Sequence, residues 1–375
     1  MTILDFPFHF NFAQKFWRGH TTADSGQSIY SPENHLRVTS DWAGARVSHS
    51  LHFGYSPTML WVLAPLAPFS HATAYILFSA AGLLAIFWIT RPSRCRGGIG
   101  LFTFFGQLAQ RCFAIGQTAL LTGAGLLYLA ERSRDDCPAE TWGKAFLSGV
   151  VLWALTAKPP IALTAGTVLL GLRRWRILAA GAALTLLSTL IAAPLMGAHW
   201  ISDYIHLLGA YNRASAGTIF AWSIRPEMMV NLRAVLNIDA GLADDAAGVI
   251  SAAVWLIALL FTALCGLRGL FGADKLWAIS MLSYLLFCPH VTSTEELLLA
   301  VVFSILIPVR GKLSGRALVL FFLLPLLPVL SALAGPLYPV RLPVFIVQLC
   351  LMALIAADFR KPAEMPAAEL PIVAS

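Results

Sequence analysis

The chain has 375 residues, of which 58% are hydrophobic and only 12% charged, and its mean hydropathy is +0.73. Soluble domains carry about 45–50% apolar and about 25% charged residues, so this chain has too little polar surface to cover a water-soluble globule. The composition excludes disordered, coiled-coil, collagen-like and disulfide-rich secreted classes and predicts a membrane protein.

The positive charge and the cysteines point to no further class. The net charge is +7, but Lys and Arg occur in short clusters between apolar runs, which is typical of topology signals and not of a nucleic-acid-binding face. The six cysteines show no CxxC and no paired spacing. Neither a disulfide framework nor a zinc site is therefore expected, and nothing demands another metal or a cofactor.

The first segment, 1–56, is polar and begins with the aromatic-rich run LDFPFHFNFAQKFW. Aromatic rings favour the membrane interface, so this run predicts an amphipathic surface helix. Asp5 is then either a solvated acid on that helix or a carboxylate held just outside the bilayer, where it could act as a general base. The next segment, 58–70, is apolar but short and contains two prolines, which favours an interfacial or re-entrant piece.

About eleven apolar runs follow, each long enough to cross a bilayer or nearly so. They lie near 72–90, 99–113, 116–131, 145–157, 159–173, 177–196, 248–267, 276–289, 296–309, 316–334 and 341–358. We therefore predict an all-α polytopic membrane protein with a first outer loop (1–56), a transmembrane domain (57–358) and a cytoplasmic tail (359–375).

The basic clusters alternate with loops that are poorer in Lys and Arg, and the positive-inside rule places these clusters in the cytoplasm. Because successive loops alternate between the two sides of the membrane, the segment 1–56, the loop 197–247 and the turns near Gln117, Lys158 and His290 are expected on the outer side. Arg111 and Arg341 each stand alone near an outer turn and are exceptions to the rule.

An outer first loop raises the question of how it is translocated. The sequence does not open with a basic region followed by a short apolar stretch, so no signal peptide is expected. A further helix upstream of residue 1 is favoured over translocation by the 72–90 helix alone.

Lys158 interrupts the apolar stretch LWALTAKPPIALTAG. The runs on either side, 145–157 and 159–173, measure roughly 20–23 Å at about 1.5 Å per residue, so the Lys158-Pro159-Pro160 corner should lie below the outer surface. Prolines at that depth are tolerated only where protein or a water-filled cavity surrounds them. Lys158 is either a snorkelling lysine or a cation for an anionic lipid headgroup, a phosphate above all.

Two further polar corners lie at the same predicted level. Gln117 opens an apolar helix, either as a helix start or interhelical hydrogen-bonding group or as part of a site. His290 and Glu295 stand in the corner CPHVTSTEE, which is either a solvated loop or a cavity wall. Their spacing is not that of metal ligands.

The loop 197–247 mixes aromatic rings and arginines, among them Trp200, Arg213 and Arg225. Such residues line carbohydrate and phosphate sites, but they also anchor loops to lipid headgroups. The cytoplasmic loops contain no P-loop and no GxGxxG that opens a helix. Any chemistry is therefore expected on the outer face, without cytosolic nucleotides.

The order of these motifs resembles a known family. An Asp in the first loop (Asp5), the Tyr55-Ser-Pro to APLAP segment, Gly116-Gln117, the Lys158-Pro-Pro corner and Pro289-His290 together resemble glycosyltransferase family 87, membrane enzymes of GT-C architecture. The resemblance runs from about residue 3 to 300. It departs at the last corner, where Thr294-Glu295 stands in place of an aromatic residue and aspartate.

The resemblance implies inverting transfer of a sugar from a polyprenyl-phosphate donor to a lipid- or glycan-linked acceptor of the cell envelope. The reaction would occur at the periplasmic face of the plasma (inner) membrane, and Asp5 matches the family's catalytic base. From its charge and depth we expect Lys158 to neutralise the leaving phosphate. The expected lining of the substrate pocket is Tyr55, Gln117, Trp200, Arg213, Arg225, His290 and Glu295.

Two other classes remain as alternatives. A multi-pass transporter or lipid flippase should show paired broken helices in two repeat halves with a midplane site, whereas here no repeat is visible and the polar corners gather at one face. A surface-glycan polymerase or ligase would depend on arginines in its large outer loops, so Arg213 and Arg225 would matter more than Asp5.

Overall fold

The computed structural model describes residues 5–18, 28–44, 53–89, 118–134, 141–213, 226–291, 295, 298–306, 315–323 and 341–358. All regular structure in these ranges is helical, which confirms the predicted all-α class. The predicted run 99–113 and the candidate residues Gln117 and Arg225 lie outside the described residues.

The described ranges contain fifteen α-helical segments in chain order. They are α1 (Asp5–Trp17), α2 (Pro32–Ala43), α3 (Thr58–Leu63), α4 (His71–Ile89), α5 (Ala119–Arg132), α6 (Trp142–Leu155), α7 (Pro159–Gly171), α8 (Trp175–Met196), α9 (Trp200–Arg213), α10 (Leu232–Ala234, continued by a π-helical turn, Val235–Asp239), α11 (Asp244–Leu267), α12 (Ala273–Phe287), α13 (Leu299–Leu306), α14 (Gly315–Leu323) and α15 (Arg341–Asp358).

Every predicted apolar run that falls in the described ranges contains a helix. Two of these helices, α8 with 22 residues and α11 with 24, are long and apolar enough to cross a membrane by themselves. The helices α6, α7 and α15 are apolar but shorter. The described residues therefore contain at least two candidate spans, and the count of about eleven spans stays a prediction.

A sharp break separates α3 from α4. The apolar helical stretch Thr58–Leu66 and the following His71–Gly82 are bent by 110° relative to each other. The side-chain amide of Gln14 donates to the carbonyls of Ala67, at 2.8 Å, and Phe69, at 2.9 Å, which satisfies acceptors that the break frees. A break of this kind agrees with the short, proline-containing segment that the sequence predicts here.

The aromatic-rich start of the chain forms the predicted helix α1, but its described rings contact protein. Phe10, Phe12 and Phe16 are at most 3% exposed, and Phe12 stacks on Phe53 with ring centroids 5.1 Å apart. The prediction that these rings lie at the membrane interface is therefore wrong, because α2, α3 and α4 pack against α1 and the rings belong to a buried cluster.

Glycines let the longer helices approach closely. A Cβ added at Gly266 in α11 would lie 2.7 Å from the Cα of Gly171 in α7, and one at Gly149 in α6 would lie 2.5 Å from the Cβ of Ala180 in α8. Small residues at helix contacts are typical of packing within membranes. This close packing fixes α7 against α11 and α6 against α8, so the two helices that meet at the Lys158 corner are both held in the bundle.

The end of the bundle opposite that corner is held by basic residues. Arg134 donates to the carboxylate of Asp274 at 2.9 Å, and Arg174 donates to the carbonyls of Ser133 and Arg134 at 3.1 and 2.9 Å. The indole of Trp277 donates to the Ser133 hydroxyl at 2.7 Å. These arginines belong to the predicted cytoplasmic clusters and also tie α5, α8 and α12 together.

Candidate functional site

The site begins at the turn between α6 and α7. Lys158 is the N-cap of α7 and adopts extended φ and ψ angles of −118° and 90°, as expected for a residue that precedes proline. Pro159 and Pro160 occupy the first helical positions, where no backbone N–H is needed. The sequence therefore stops α6 and restarts the chain as α7 with the lysine at the corner.

The ammonium of Lys158 forms an ion pair with the carboxylate of Glu295. The Glu295 side chain is only 2% exposed, whereas that of Lys158 is 24% exposed. The hydroxyl of Tyr284, which is fully buried in α12, donates to the same Glu295 Oε1 at 2.8 Å. The buried carboxylate is thus compensated by a cation and by a hydrogen bond, and the ammonium is the more accessible partner of the pair.

The segment around Tyr55 attaches the N-terminal helices to this corner. The backbone N–H of Ser56 donates to the Ala157 carbonyl at 3.1 Å, and the hydroxyls of Thr58 and Thr156 lie 2.8 Å apart. The carbonyl of Tyr55 in turn accepts a hydrogen bond of 3.1 Å from the Tyr30 hydroxyl. Tyr55 therefore lies at the same end of the molecule as Lys158.

The turn that carries His290 is held by the polar segment before α11. The Asn231 side chain donates to the Cys288 carbonyl at 2.7 Å, and Arg233 donates to the Pro289 carbonyl at 3.2 Å. Arg233 also forms two bonds, of 2.8 and 2.7 Å, with the carboxylate of Asp244. Since Arg233 is 2% exposed, this bidentate pair forms a rigid support for the turn.

His290 lies close enough to the ion pair to interact with it electrostatically. Burial lowers the pKa of His290 to about 4, and the positive charges of Arg233 and Lys158 act in the same direction, while Glu295 opposes them. The imidazole is therefore neutral at physiological pH. In that form it can accept a proton or hydrogen bond at one nitrogen and donate at the other.

The other predicted site residues lie elsewhere or outside the described side chains. Asp5 is the first residue of α1 and Arg213 the last of α9, and in both cases the side chain is outside the described residues. Trp200 begins α9 and packs on the aromatic cluster of the N-terminal helices. The structure thus brings Lys158, His290 and Glu295 together. Trp200 lies instead beside the aromatic cluster of the N-terminal helices.

Sequence reasoning missed Arg233 and did not explain Arg341. Arg233 follows the candidates Arg213 and Arg225 in the loop 197–247, and only its three-dimensional contacts distinguish it from them. Arg341 is 2% exposed, donates to the Met229 carbonyl at 3.2 Å and lies 3.8 Å from the carboxylate of Asp239. The carboxylate of Asp239 therefore explains how Arg341 can be buried near a predicted outer turn, where it is an exception to the positive-inside rule.

An open apolar groove lies between α6, α7 and α8. It has a volume of about 630 Å³ and is lined by small and aliphatic side chains. Among them are Leu152, Thr156, Gly166, Leu178, Ala182 and Thr189. Thr156 also bonds to the segment at Thr58, so one end of the groove adjoins the Lys158 corner.

Within the described ranges, no group of three or more His, Cys, Asp or Glu side chains could hold a metal ion. The buried polar cluster consists instead of a lysine, a glutamate and a tyrosine, with a neutral histidine nearby. Such a cluster can bind an anion at the ammonium and exchange protons, but it offers no cage for a divalent cation.

A comparison with known protein families identifies the family of this chain. The model for glycosyltransferase family 87 matches residues 53–292, which is more than half of the chain. Searches of curated proteins and of solved structures found no significant match. The matched range includes Tyr55, Lys158 and His290, whereas Glu295 lies three residues beyond its end and Asp5 lies 48 residues before its start.

Proposed function

Because the chain belongs to glycosyltransferase family 87, we propose that it transfers a sugar from a polyprenyl-phosphate donor to a lipid- or glycan-linked acceptor. The family implies glycosyltransferase activity and hence a sugar donor and an acceptor. The observation that carries the donor assignment is the position of Lys158, a partly accessible cation two residues from Thr156, which lines an open apolar groove. A lipid with a phosphate headgroup has the matching chemistry.

The groove supports a donor whose hydrophobic chain stays in the bilayer. Its outer rim includes Leu163 and Leu186, which are 47% and 62% exposed, so the groove is open to the surface that these apolar helices present to lipid. A polyprenyl chain in the groove would bring its phosphate to Thr156 and Lys158. A soluble nucleotide sugar would gain nothing from such a surface.

The proposed reaction is a single inverting displacement. The acceptor oxygen forms a bond to the anomeric carbon, and the bond from that carbon to the phosphate oxygen breaks, with its electron pair leaving on polyprenyl phosphate. The donor is a phosphodiester with one negative charge, whereas the released phosphate monoester carries about −1.5 to −2 at neutral pH. Lys158 would stabilise the charge that develops during this step.

The proton of the acceptor hydroxyl requires a base, and we assign this role to Asp5. The assignment rests on the match of Asp5 to the first-loop acid of the family. It is supported by α1, which begins at Asp5 and packs against α3, the helix that begins beside the Lys158 corner. Tyr55, Gln117, Trp200, Arg213, Arg225, His290 and Glu295 are proposed to line or support the pocket.

The proposed reaction requires its site at the non-cytoplasmic face of the plasma (inner) membrane. Lys158, Tyr55 and His290 are at one end of the bundle, and the arginines of the predicted cytoplasmic clusters are at the other. This separation supports an outward-facing site.

The donor class can be tested with purified protein and a membrane extract that supplies acceptors. A panel of radiolabelled polyprenyl-phosphate sugars is compared with nucleotide sugars that carry the same sugars. We expect incorporation into lipid or glycan from at least one polyprenyl-phosphate sugar and none from the nucleotide sugars. Incorporation from nucleotide sugars into an acceptor extract from which polyprenyl phosphate has been removed would contradict the proposal.

A further inference from the structure

We propose that the Glu295 carboxylate competes with phosphate for the ammonium of Lys158. By pairing with this ammonium, Glu295 weakens the binding of the released polyprenyl phosphate to Lys158. This inference rests on the proposed function, because it takes Lys158 to be the phosphate-binding cation. Glu295 is then a positioning residue that acts through Lys158 and sets how readily product leaves.

The first support is the difference in accessibility within the pair. Glu295 is enclosed, with a 2% exposed side chain, whereas the Lys158 side chain is 24% exposed and follows Thr156 of the groove by two residues. A ligand that reaches this corner from outside therefore meets the lysine and not the carboxylate. Glu295 weakens the binding of that ligand in two ways: it repels the ligand electrostatically, and it competes with the ligand for the ammonium.

The second support is that Glu295 is held in place. The Tyr284 hydroxyl donates to the same Oε1 that contacts the ammonium, and Tyr284 is fully buried in α12. The carboxylate is thus fixed before any ligand arrives. It cannot move into water to make room for a phosphate, so carboxylate and phosphate must share the cation.

The energetic consequence follows from this competition. An ammonium that already has an anionic partner gains less from a second anion than an ammonium without one, because the first interaction is weakened or lost. The carboxylate also repels the phosphate, and it repels the more highly charged product more strongly than the donor. Glu295 therefore favours product release, which limits the turnover of many enzymes.

The test measures binding of geranyl phosphate, a short polyprenyl phosphate, to the purified full-length protein in detergent by titration calorimetry. We expect Glu295→Gln to bind this probe at least about tenfold more tightly than the wild type, since one hydrogen bond to a charged group is worth about that factor. The inhibition constant of geranyl phosphate in the transfer assay should fall by the same factor. A general loss of structure would weaken binding, so tightening separates the proposed role from a purely structural one.

Tyr284→Phe is the matched control, because it disturbs the same carboxylate but keeps its charge. We expect no tightening in this variant. If Glu295→Gln does not fold, Glu295→Ala removes the same charge and should give the same tightening.

Two results separate this inference from the function on which it rests. If the wild type binds the probe, Lys158→Gln does not, and Glu295→Gln binds no more tightly than the wild type, the role of Glu295 is overturned and the phosphate site stands. If Lys158→Gln binds as tightly as the wild type, the phosphate site at Lys158 fails, and the inference fails with it.

Discussion

Lys158 and Glu295 are 137 residues apart in the chain and form an ion pair beside the groove between α6, α7 and α8. The pair links the corner before α7 to the residues that follow the His290 turn. It places a cation where a lipid phosphate would end and a fixed anion behind that cation.

Replacing Lys158 by Gln should remove the charge that stabilises the leaving phosphate. We expect the rate of sugar transfer at saturating acceptor to fall by about 10²–10³-fold, the usual effect of losing one group that stabilises transition-state charge. The control is Lys144→Gln, because Lys144 is an exposed residue of α6 at the far end of that helix. Equal rates for Lys158→Gln and the wild type would exclude the assignment.

Replacing Asp5 by Asn should remove the base and leave the fold intact. Loss of a general base costs about 10²–10⁴-fold in rate, so transfer should become undetectable in a standard assay while the unfolding temperature stays unchanged. Asp41→Asn is the matched control in the same N-terminal part, because Asp41 is 52% exposed and its pair with Lys15 contributes little. Appreciable turnover by the Asp5 variant would remove Asp5 from the base role.

Filling the groove should discriminate between donors by the length of their hydrophobic chain. A Cβ added at Gly166 would touch only Leu178, at 3.9 Å, so Gly166→Leu would project into the groove. We expect a higher KM for a long-chain donor and little change for a short-chain analogue. Ala183→Leu adds the same bulk on an exposed face of α8 that does not line the groove, and it should affect neither donor. An equal effect of both variants would argue against a chain-binding groove.

Protonation of His290 should destabilise the fold in acid. Burial, with Arg233 and Lys158, lowers the pKa of His290 to about 4 from its usual 6.5. The unfolded chain therefore binds more protons than the folded one between these values, and His290 makes stability fall as the pH falls from about 6.5 to about 4. His290→Gln should show a smaller decrease in unfolding temperature over this range. Parallel decreases for the variant and the wild type would contradict the assigned shift.

Breaking the Arg233–Asp244 pair should loosen the turn that carries His290. Arg233 is buried and forms two hydrogen bonds with Asp244, a geometry that lysine cannot reproduce. We expect Arg233→Met to lower the free energy of unfolding by about 1–3 kcal/mol, the range for lost hydrogen bonds to a charged group, because the Asp244 carboxylate that remains is 35% exposed and is partly solvated. Arg233→Lys should lower it by less. Arg268→Met, at an exposed position after α11, is the control and should leave stability unchanged. Equal stability of the Arg233 and Arg268 variants would show that the pair does not support the turn.

The positions of the helices could be predicted from sequence because long apolar runs bounded by basic or proline-containing turns have few other solutions in a bilayer. The corner at Lys158 was predictable for the same reason, since two prolines follow the lysine between two short apolar runs. The burial of the α1 rings in protein could not be predicted from the aromatic run, because such a run looks the same whether lipid or protein covers it.

The contacts within the site could not be predicted in this way. Lys158 and Glu295 were each recognised as polar residues in apolar surroundings, but their pairing depends on how α7, α11 and α12 pack, which no local pattern encodes. The role of Arg233 could not be predicted, because its partners, Asp244 and the Pro289 carbonyl, are contributed by segments up to 56 residues away. Arg341 similarly depends on Asp239 and Met229, about 100 residues earlier in the chain.

The most direct test of the proposed reaction is to measure both products in the same experiment. Purified protein is given a radiolabelled polyprenyl-phosphate sugar and a membrane acceptor extract, and the glycosylated acceptor and the released polyprenyl phosphate are quantified over time. We expect the two products to form in equal amounts with the wild type and neither to form with the Asp5→Asn variant. Release of polyprenyl phosphate without glycosylated acceptor, or equal product formation by the variant, would contradict the account.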